Sequence, residues 1–275
     1  MDPEMFLDVA NQVTKLKMFP YFDIAHAALC CLHVREDLHG GVNFTRRHPL
    51  ATWICSLVEI YAGGVLASLF LGEPILGPLK SNEHLVLYTL VWYLVFYCPF
   101  DAVYKICKFL PVKLAFSVMK EIYRVKKVYD GVSHSLKIFP NGYLIALVVG
   151  TVKGNGAGFL KIFERLLRGI WTPGAIEILQ PSFPTKACIA ASVIFVLDKK
   201  TDFISAPHSL LYFGIVVFFV YFKISSILLG IHDPFAPFEN IFCALFMGGL
   251  ADAITRAFGS KPAGDAKKDG EKKKE

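Results

Sequence analysis

Two cations, Lys120 and Arg124, stand one helical turn apart in a chain that is otherwise rich in apolar runs. Residues at i and i+4 share one face of a helix, and a cation at membrane depth costs roughly 3 kcal/mol even on a lenient insertion scale. The pair therefore needs an anionic partner or a water-filled cavity. This predicts an ion path, or a site for the phosphates of an anionic lipid. The structural alternative is that both side chains snorkel to the membrane surface.

Four further charges lie in or beside apolar runs: Glu59, Asp101, Glu121 and Lys153. Each is a candidate for a pore charge or for a buried ion pair, and pairing is favoured for Glu59 and Asp101. Asp101 follows Cys98-Pro99-Phe100, which predicts a break near the end of its span. Glu121 lies about 100° around the helix from Lys120, so it could tether a neighbouring cation.

Clustered glycines interrupt two of the apolar runs: Gly63 and Gly64 in one, Gly154, Gly156 and Gly158 in the other. Glycine is about 1 kcal/mol worse than alanine inside a helix, and it permits kinks, exposed carbonyls and close helix contacts. Freed carbonyls can coordinate a cation. We therefore predict that these glycines shape a pore, with simple helix packing as the alternative.

Other chemistries lack their patterns. The eight histidines show no zinc spacing with a catalytic glutamate, and neither a nucleophile elbow nor a Walker loop is present. The seven cysteines are scattered through apolar segments and read as small buried hydrophobes. We expect no enzyme activity, no metal, no cofactor other than a structural lipid, and no nucleic-acid partner.

The chain as a whole predicts an all-α, multi-pass membrane protein. Its 275 residues are 54% apolar, and the mean hydropathy is +0.48, above that of an ordinary soluble domain. Apolar runs mark seven candidate spans, several of them near the 20 residues that cross a bilayer: 19–34, 50–71, 85–107, 112–132, 142–167, 187–197 and 209–231.

The distribution of Lys and Arg sets the predicted orientation, because cytosolic loops carry the excess. A lumenal amino terminus places the larger share on the cytosolic side. This divides the chain into a lumenal segment (1–18), a seven-helix domain (19–231) and a cytosolic tail (232–275). Lys272 and Lys273 of that tail resemble a dilysine address for retrieval to the endoplasmic reticulum.

An internal symmetry accompanies the spans. The glycine clusters fall in the second and fifth spans, and Pro openings recur along the chain. A unit of three spans ends on the side of the membrane opposite to its start, so a second such unit runs in the opposite direction. Spans 1–3 and 4–6 therefore form an inverted repeat of three-helix bundles, with a seventh helix added. Glycine breaks in the second span of each repeat point to a transport site at the interface between the repeats.

The assembled motifs resemble the trimeric intracellular cation (TRIC) channels, and invertebrate type B members more than the vertebrate form with a His-rich loop. Segments in the family's order run from residue 19 to about residue 240, and they include Phe19-Pro-Tyr-Phe-Asp23, Arg47-His-Pro49, Leu71-Gly-Glu-Pro74, Phe109-Leu-Pro-Val-Lys113, Met119-Lys-Glu-Ile-Tyr-Arg124, Val152-Lys-Gly-Asn-Gly156, Phe163-Glu-Arg-Leu-Leu-Arg168, Ser182-Phe-Pro-Thr-Lys186 and Pro237-Phe-Glu239.

The resemblance implies a homotrimer with one pore per protomer, conducting K⁺ and Na⁺ in the endoplasmic or sarcoplasmic reticulum. Such channels supply counter-ion current during Ca²⁺ release and uptake. The family's Lys-Glu-x-x-Arg motif, which binds phosphatidylinositol 4,5-bisphosphate, falls on Lys120, Glu121 and Arg124. Phosphates at this position would also stop the two cations from repelling K⁺.

Two other classes of function fit the spans less well. A seven-span secondary carrier, such as a 3+1+3 sugar transporter, would not need basic residues at depth. A lipid-binding membrane scaffold would carry the same lipid site without passing ions.

Overall fold

The computed structural model describes residues 3–38, 41–172, 174, 176–230 and 233–247. Within these ranges the chain consists of helices and short connections, without a strand. The helices are α1 (Pro3–Thr14), α2 (Tyr21–Glu36), α3 (Gly41–Arg47), α4 (Pro49–Leu71), α5 (Asn82–Tyr97), α6 (Ala102–Lys108), α7 (Leu110–Ile138), α8 (Tyr143–Leu167), α9 (Phe183–Lys200), α10 (His208–Leu229) and α11 (Ala236–Phe246), with single 3₁₀ turns at Gly77–Lys80 and Pro99–Asp101.

Helix ends follow local sequence signals. Pro49, Pro111 and Pro184 each occupy the first turn of a helix, where the missing N–H leaves no hydrogen bond unmade. Gly72 and Gly230 close α4 and α10 with φ of +71° and +69°, in the left-handed region that a residue with a Cβ avoids.

Three helices are long and apolar enough to cross a bilayer: α4, α8 and α10. A fourth crossing is available if α5 and the segment Pro99–Lys108, bent by 92° at their junction, form one span. These elements match the predicted spans at 50–71, 142–167, 209–231 and 85–107. The other predicted spans coincide with α2, α7 and α9, and their crossing of the membrane stays a prediction.

The bend after α5 confirms the predicted break beside Asp101. Pro99 has no N–H, so the carbonyl of Val95 has no donor four residues ahead. The guanidinium of Arg35, on α2, supplies that donor to Val95 and also donates to Asp101 at 2.8 Å. Phe100 and Asp101 both have positive φ, 58° and 54°.

The helices pack in two groups. One group is α2 with α4, α5 and α6, and its buried core is built from their apolar faces. The other is α7 with α8, α9 and α10, and α1 packs on α10. The long helices α4 and α8 join the two groups along an extended contact.

Polarity is distributed inside out compared with a soluble protein. Large apolar side chains such as Leu50, Val86 and Leu144 are exposed on the outer faces. Charged side chains such as Asp23 and Glu121 are each only 1% exposed in the interior. This arrangement suits a lipid surround, in which apolar outer faces carry no solvation penalty.

A second unit begins at Asp233. Its described part contains α11, an apolar helix of 11 residues that is too short to cross a bilayer. The predicted tail signal at Lys272 and Lys273 lies outside the described residues.

Candidate functional site

A cavity of about 360 Å³ lies among α2, α4, α7 and α8, with further lining from α9 and α10. Its lining contains most of the residues that the sequence singled out. Seven cations face it: Lys113, Lys120, Arg124, Lys127, Lys153, Lys161 and Lys223. Three carboxylates face it as well: Glu59, Glu121 and Glu177. The cavity is therefore strongly electropositive, and an anionic ligand or permeant anions would be drawn to it.

Lys120 and Arg124 both line the cavity from one face of α7, but their partners differ. Arg124 is 9% exposed, and its guanidinium donates to both carboxylate oxygens of Glu121, at 2.8 and 2.6 Å. Its Nε also donates to the carbonyl of Gly154 at 3.3 Å. The ammonium of Lys120 lies 3.9 Å from Cys30 Sγ and forms no ion pair with a described side chain. Lys120 is thus the more available charge of the two.

The glycine run of α8 contains a true break. Asn155 has φ −130° and ψ 35° inside an otherwise helical segment. Its side-chain amide donates to Thr185 Oγ1 at 2.8 Å and to Glu177 Oε1 at 3.3 Å. The non-helical residue is therefore held from outside its own helix. The break lies where Gly154, Gly156 and Gly158 line the cavity.

The glycine pair of α4 does not break its helix. The sequence predicted a break at Gly63-Gly64, and this expectation is wrong, because α4 runs as one helix from Pro49 to Leu71. The glycines serve close approach instead. A Cβ on Gly156 would lie 2.3 Å from the backbone nitrogen of Gly63, and one on Gly63 would lie 2.4 Å from the Lys153 carbonyl oxygen. Gly64 leaves similar room for Pro78, 3.0 Å from its virtual Cβ.

A second cavity, of about 460 Å³, is lined by residues of α4, α7 and α8. Its lining includes Glu73, Asp130 and His134, together with Gly64 and Lys153. Lys153 is the one described residue that lines both cavities. At the mouth, His134 Nε2 lies 2.6 Å from Glu73 Oε1, which ties α7 to the end of α4.

Besides Glu121, two of the predicted charges, Glu59 and Asp101, have partners of their own. Glu59 lines the first cavity and is 6% exposed, with Oε1 at 3.1 Å from His33 Nδ1. Asp101 is not part of either cavity, and it pairs with Arg35 at the bend after α5. The structure therefore brings Glu59, Glu121 and Lys153 together with Lys120 and Arg124, and it leaves Asp101 elsewhere.

Several lining residues were missed in the sequence. Lys127 follows Lys120 at i+7 and Arg124 at i+3, which is the same face of α7, so its place could have been predicted. It lies 3.4 Å from His26 Nε2 and stacks over Tyr123, 4.4 Å from the ring centroid. Glu177 carried no comparable signal, because it sits in a connection whose path the sequence does not define.

An ion cluster holds the end of α2 against the end of α8. Asp37 accepts from Arg165 at two positions of 3.0 Å and from Arg168 at 2.7 Å, and Lys161 lies 3.8 Å away. Burial by itself raises the pKa of the Asp37 carboxyl, but the two guanidinium hydrogen bonds and Lys161 outweigh this and hold that pKa well below its usual range. Within the described ranges, no group of three His, Cys, Asp or Glu side chains could hold a metal ion.

Comparison with known proteins points to one family. The profile described as TRIC channel matches residues 38–230. The chain is 49% identical to the trimeric intracellular cation channel type 1B.1 of Caenorhabditis elegans, over 94% of this chain and 88% of that one. It is 36% identical to the human trimeric intracellular cation channel type A, over 88% of this chain and 80% of that one.

Solved structures agree. A trimeric intracellular cation channel from C. elegans in the absence of Ca²⁺ superposes with a TM-score of 0.80 at 46% identity, over 85% of this chain and 100% of that one. A structure described as the structural basis for activity of TRIC counter-ion channels in calcium release superposes with a TM-score of 0.77 at 31% identity, over 81% and 99% of the two chains. The relatives are ion channels and not enzymes. With its fold and its sequence in agreement, this chain belongs to the TRIC channel family.

Proposed function

We propose that this chain is a homotrimeric channel for K⁺ and other monovalent cations, in the membrane of the endoplasmic or sarcoplasmic reticulum. It would carry counter-ion current during Ca²⁺ release and uptake, with one pore in each protomer. The names of its relatives support this, since they are called trimeric and intracellular cation channels. The lumenal amino terminus and cytosolic carboxyl terminus are part of the same proposal.

The observation that carries the proposal is the polar cavity beside the α8 break. Pore-lining irregular backbone is tolerated at membrane depth only where it is buried in protein or lines a water-filled space. The break at Asn155 meets this condition, because Asn155 lines the cavity and its side chain is held by Glu177 and Thr185. A second cavity continues beyond Lys153, so the two spaces form the two halves of a path.

A phosphoinositide completes this path electrostatically. The seven lining cations exceed the three lining carboxylates, and an unneutralised excess would repel K⁺. Phosphatidylinositol 4,5-bisphosphate bound by Lys120 and Arg124 would supply the missing negative charge. Of the two, Lys120 is the more available to a phosphate. Arg124 already pairs with Glu121, whereas Lys120 has no ionic partner among the described side chains.

The proposed architecture is an inverted repeat of α2, α4 and α5 with α7, α8 and α9, and α10 added. Two contact patterns support it. Each group packs within itself, and the second members, α4 and α8, meet each other at Gly63 and Gly156. A transport site at the junction of two such repeats is a common arrangement in membrane transport proteins.

Single-channel recording of the purified protein in planar bilayers under a KCl gradient tests the proposal. The expected result is unitary current with a reversal potential near the K⁺ equilibrium value. Saturating, substrate-coupled flux without unitary currents would replace the channel by a carrier. Silence from a well-folded, lipid-loaded trimer would replace it by a scaffold.

The lipid site needs its own variant. Lys120→Ala should lower the binding of phosphatidylinositol 4,5-bisphosphate vesicles and change the conductance, whereas Lys105→Ala, which removes an exposed lysine of α6, should change neither. Unaltered lipid binding in Lys120→Ala would remove Lys120 from the site. Trimer assembly, measured by mass photometry, must stay intact in both variants for the comparison to stand.

A further inference from the structure

The three carboxylates that line the first cavity are in different electrostatic situations. Both oxygens of Glu121 are taken by Arg124, and the residue is 1% exposed. Glu59 is 6% exposed, and its Oε1 lies 3.1 Å from Nδ1 of His33, a partner that carries a charge only when protonated. Glu177 is only partly buried. A carboxylate that is paired with a cation, or sealed from the cavity, adds little negative potential there.

The partners of Glu177 are all uncharged. Its Oε1 accepts from the backbone N–H of Ser182 at 3.0 Å, from the hydroxyls of Ser182 and Thr185, and from the Asn155 amide at 3.3 Å. These groups orient the carboxylate without neutralising it. Its other oxygen, Oε2, packs beside Gly158, 3.1 Å from the position that a Cβ there would occupy. The side chain is therefore fixed, charged and at the cavity wall.

We propose that Glu177 attracts the permeating cation into this cavity and sets the preference for cations over anions there. The inference rests on the proposed channel function and adds a named determinant to it. A fixed negative charge among lysines concentrates K⁺ locally and opposes Cl⁻. Because Glu177 also holds Asn155, the same side chain places this charge at the α8 break.

The test separates charge from packing by changing the salt concentration. Glu177→Gln retains the oxygen that accepts the four hydrogen bonds but loses the charge. The effect of a fixed charge falls with ionic strength, since the Debye length shrinks from about 30 Å at about 0.01 M to about 3 Å at about 1 M. A packing defect has no such salt dependence.

We expect Glu177→Gln to reduce unitary conductance at least about threefold at about 0.01 M KCl, and by less than about a quarter at about 1 M KCl. Its reversal potential in a KCl gradient should shift toward the Cl⁻ equilibrium value. Glu177→Asp, which keeps the charge, should recover much of the low-salt conductance. The matched control Glu83→Gln removes an exposed carboxylate at the start of α5 and should behave as the unmodified chain at both concentrations.

The outcomes divide clearly. If the unmodified protein passes no current, the proposed function fails and this inference fails with it. If the unmodified protein conducts and Glu177→Gln lowers the current by the same factor at both concentrations, or not at all, only the role of Glu177 is overturned. A further measurement needs no variant. The conductance of the unmodified protein should fall less than proportionally when KCl is diluted, and strict proportionality would overturn the proposed role of Glu177.

Discussion

At the scale of residues, Lys120 and Arg124 carry the same charge on one face of α7, yet they do different work in the protein. Arg124 closes a buried ion pair with Glu121 and donates to the Gly154 carbonyl beside the α8 break. Lys120 has no ion pair among the described residues. Removing Arg124 therefore disturbs the structure as well as the lipid site, and a substitution of Lys120 is the more direct test of lipid binding.

The first prediction concerns this difference. Arg124→Ala should lower the free energy of unfolding by about 3–5 kcal/mol, because it leaves the Glu121 carboxylate buried without a partner. Lys120→Ala should cost less than about 1 kcal/mol. Thermal unfolding of the delipidated protein in detergent measures both. The double variant Glu121→Gln/Arg124→Gln should recover part of the loss, and equal melting points for the two single variants would contradict the account.

The second prediction concerns Asp37, which lies outside the membrane-spanning segments. Its lowered pKa means that the stabilisation is fully present above the ordinary aspartate value near pH 4, and is lost as the pH falls from there toward the lowered pKa. Asp37→Asn should cost about 2 kcal/mol at pH 7, since it weakens charge-assisted hydrogen bonds to Arg165 and Arg168.

The check is the melting point of Asp37→Asn against the unmodified protein between pH 7 and pH 3. The gap should be constant down to about pH 4 and narrow below it. Asp202→Asn, at an exposed carboxylate after α9, should show no gap at any pH. A gap that widens on acidification would contradict the assigned direction.

At the scale of elements, the contact between α4 and α8 depends on glycine in both helices. The sequence indicated that these glycines matter, but their roles differ: α8 breaks at Asn155, while α4 stays continuous and gives up side-chain volume so that α8 can approach. Composition alone does not separate these roles, because a glycine that kinks a helix and a glycine that admits a neighbour look alike in sequence.

The third prediction compares two glycines within helices. Gly156→Ala would place a Cβ 2.3 Å from Gly63 backbone, so it should lower stability by at least about 2 kcal/mol or abolish assembly. Gly214→Ala, on α10 with nothing within 4 Å of its Cβ position, should be neutral or stabilise by up to about 1 kcal/mol. Melting of the purified trimers measures both, and comparable losses would refute a specific contact.

The fourth prediction concerns the bend after α5. Arg35→Met keeps the aliphatic length but removes the donor to the Val95 carbonyl and the partner of Asp101. It should cost about 1–3 kcal/mol, chiefly because the Val95 carbonyl is left without a donor, while water can solvate the partly exposed Asp101. Lys105→Met, exposed on α6, is the matched control and should cost less than about 0.5 kcal/mol.

At the scale of the whole molecule, the sequence predicted the helical membrane class, the bounds of α4, α8 and α10 within a few residues, and the family. Apolar runs and Pro and Gly at their ends carry that information locally. The sequence could not predict the surroundings of Glu177, because they depend on how the connection before α9 folds back onto Asn155. Lys127, by contrast, shares one face of α7 with Lys120 and Arg124, so helix periodicity could have placed it at the cavity that it lines.

The fifth prediction concerns topology. The 23 residues of α4 reach about 35 Å, enough to cross a bilayer core of about 30 Å. Asn43, the asparagine of the one N-x-[ST] sequon, and the turn after Gly72 should therefore lie on opposite sides. In microsomes, Asn43 should stay unglycosylated, whereas a flexible sequon tag inserted between Ile75 and Leu76 should be glycosylated. A glycan on Asn43 would reverse the proposed orientation.

The contact of Gly63 with Gly156 also sets the timescale on which the spacing between α4 and α8 can change. At this contact α4 and α8 meet backbone against backbone, so the picosecond-to-nanosecond hopping of side-chain rotamers cannot widen it. Any change in its width requires α4 and α8 to move as bodies, and collective motions of this kind take microseconds to milliseconds. Current through this path should therefore switch between discrete, long-lived levels, with dwell times that fast side-chain substitutions elsewhere in the lining leave unchanged.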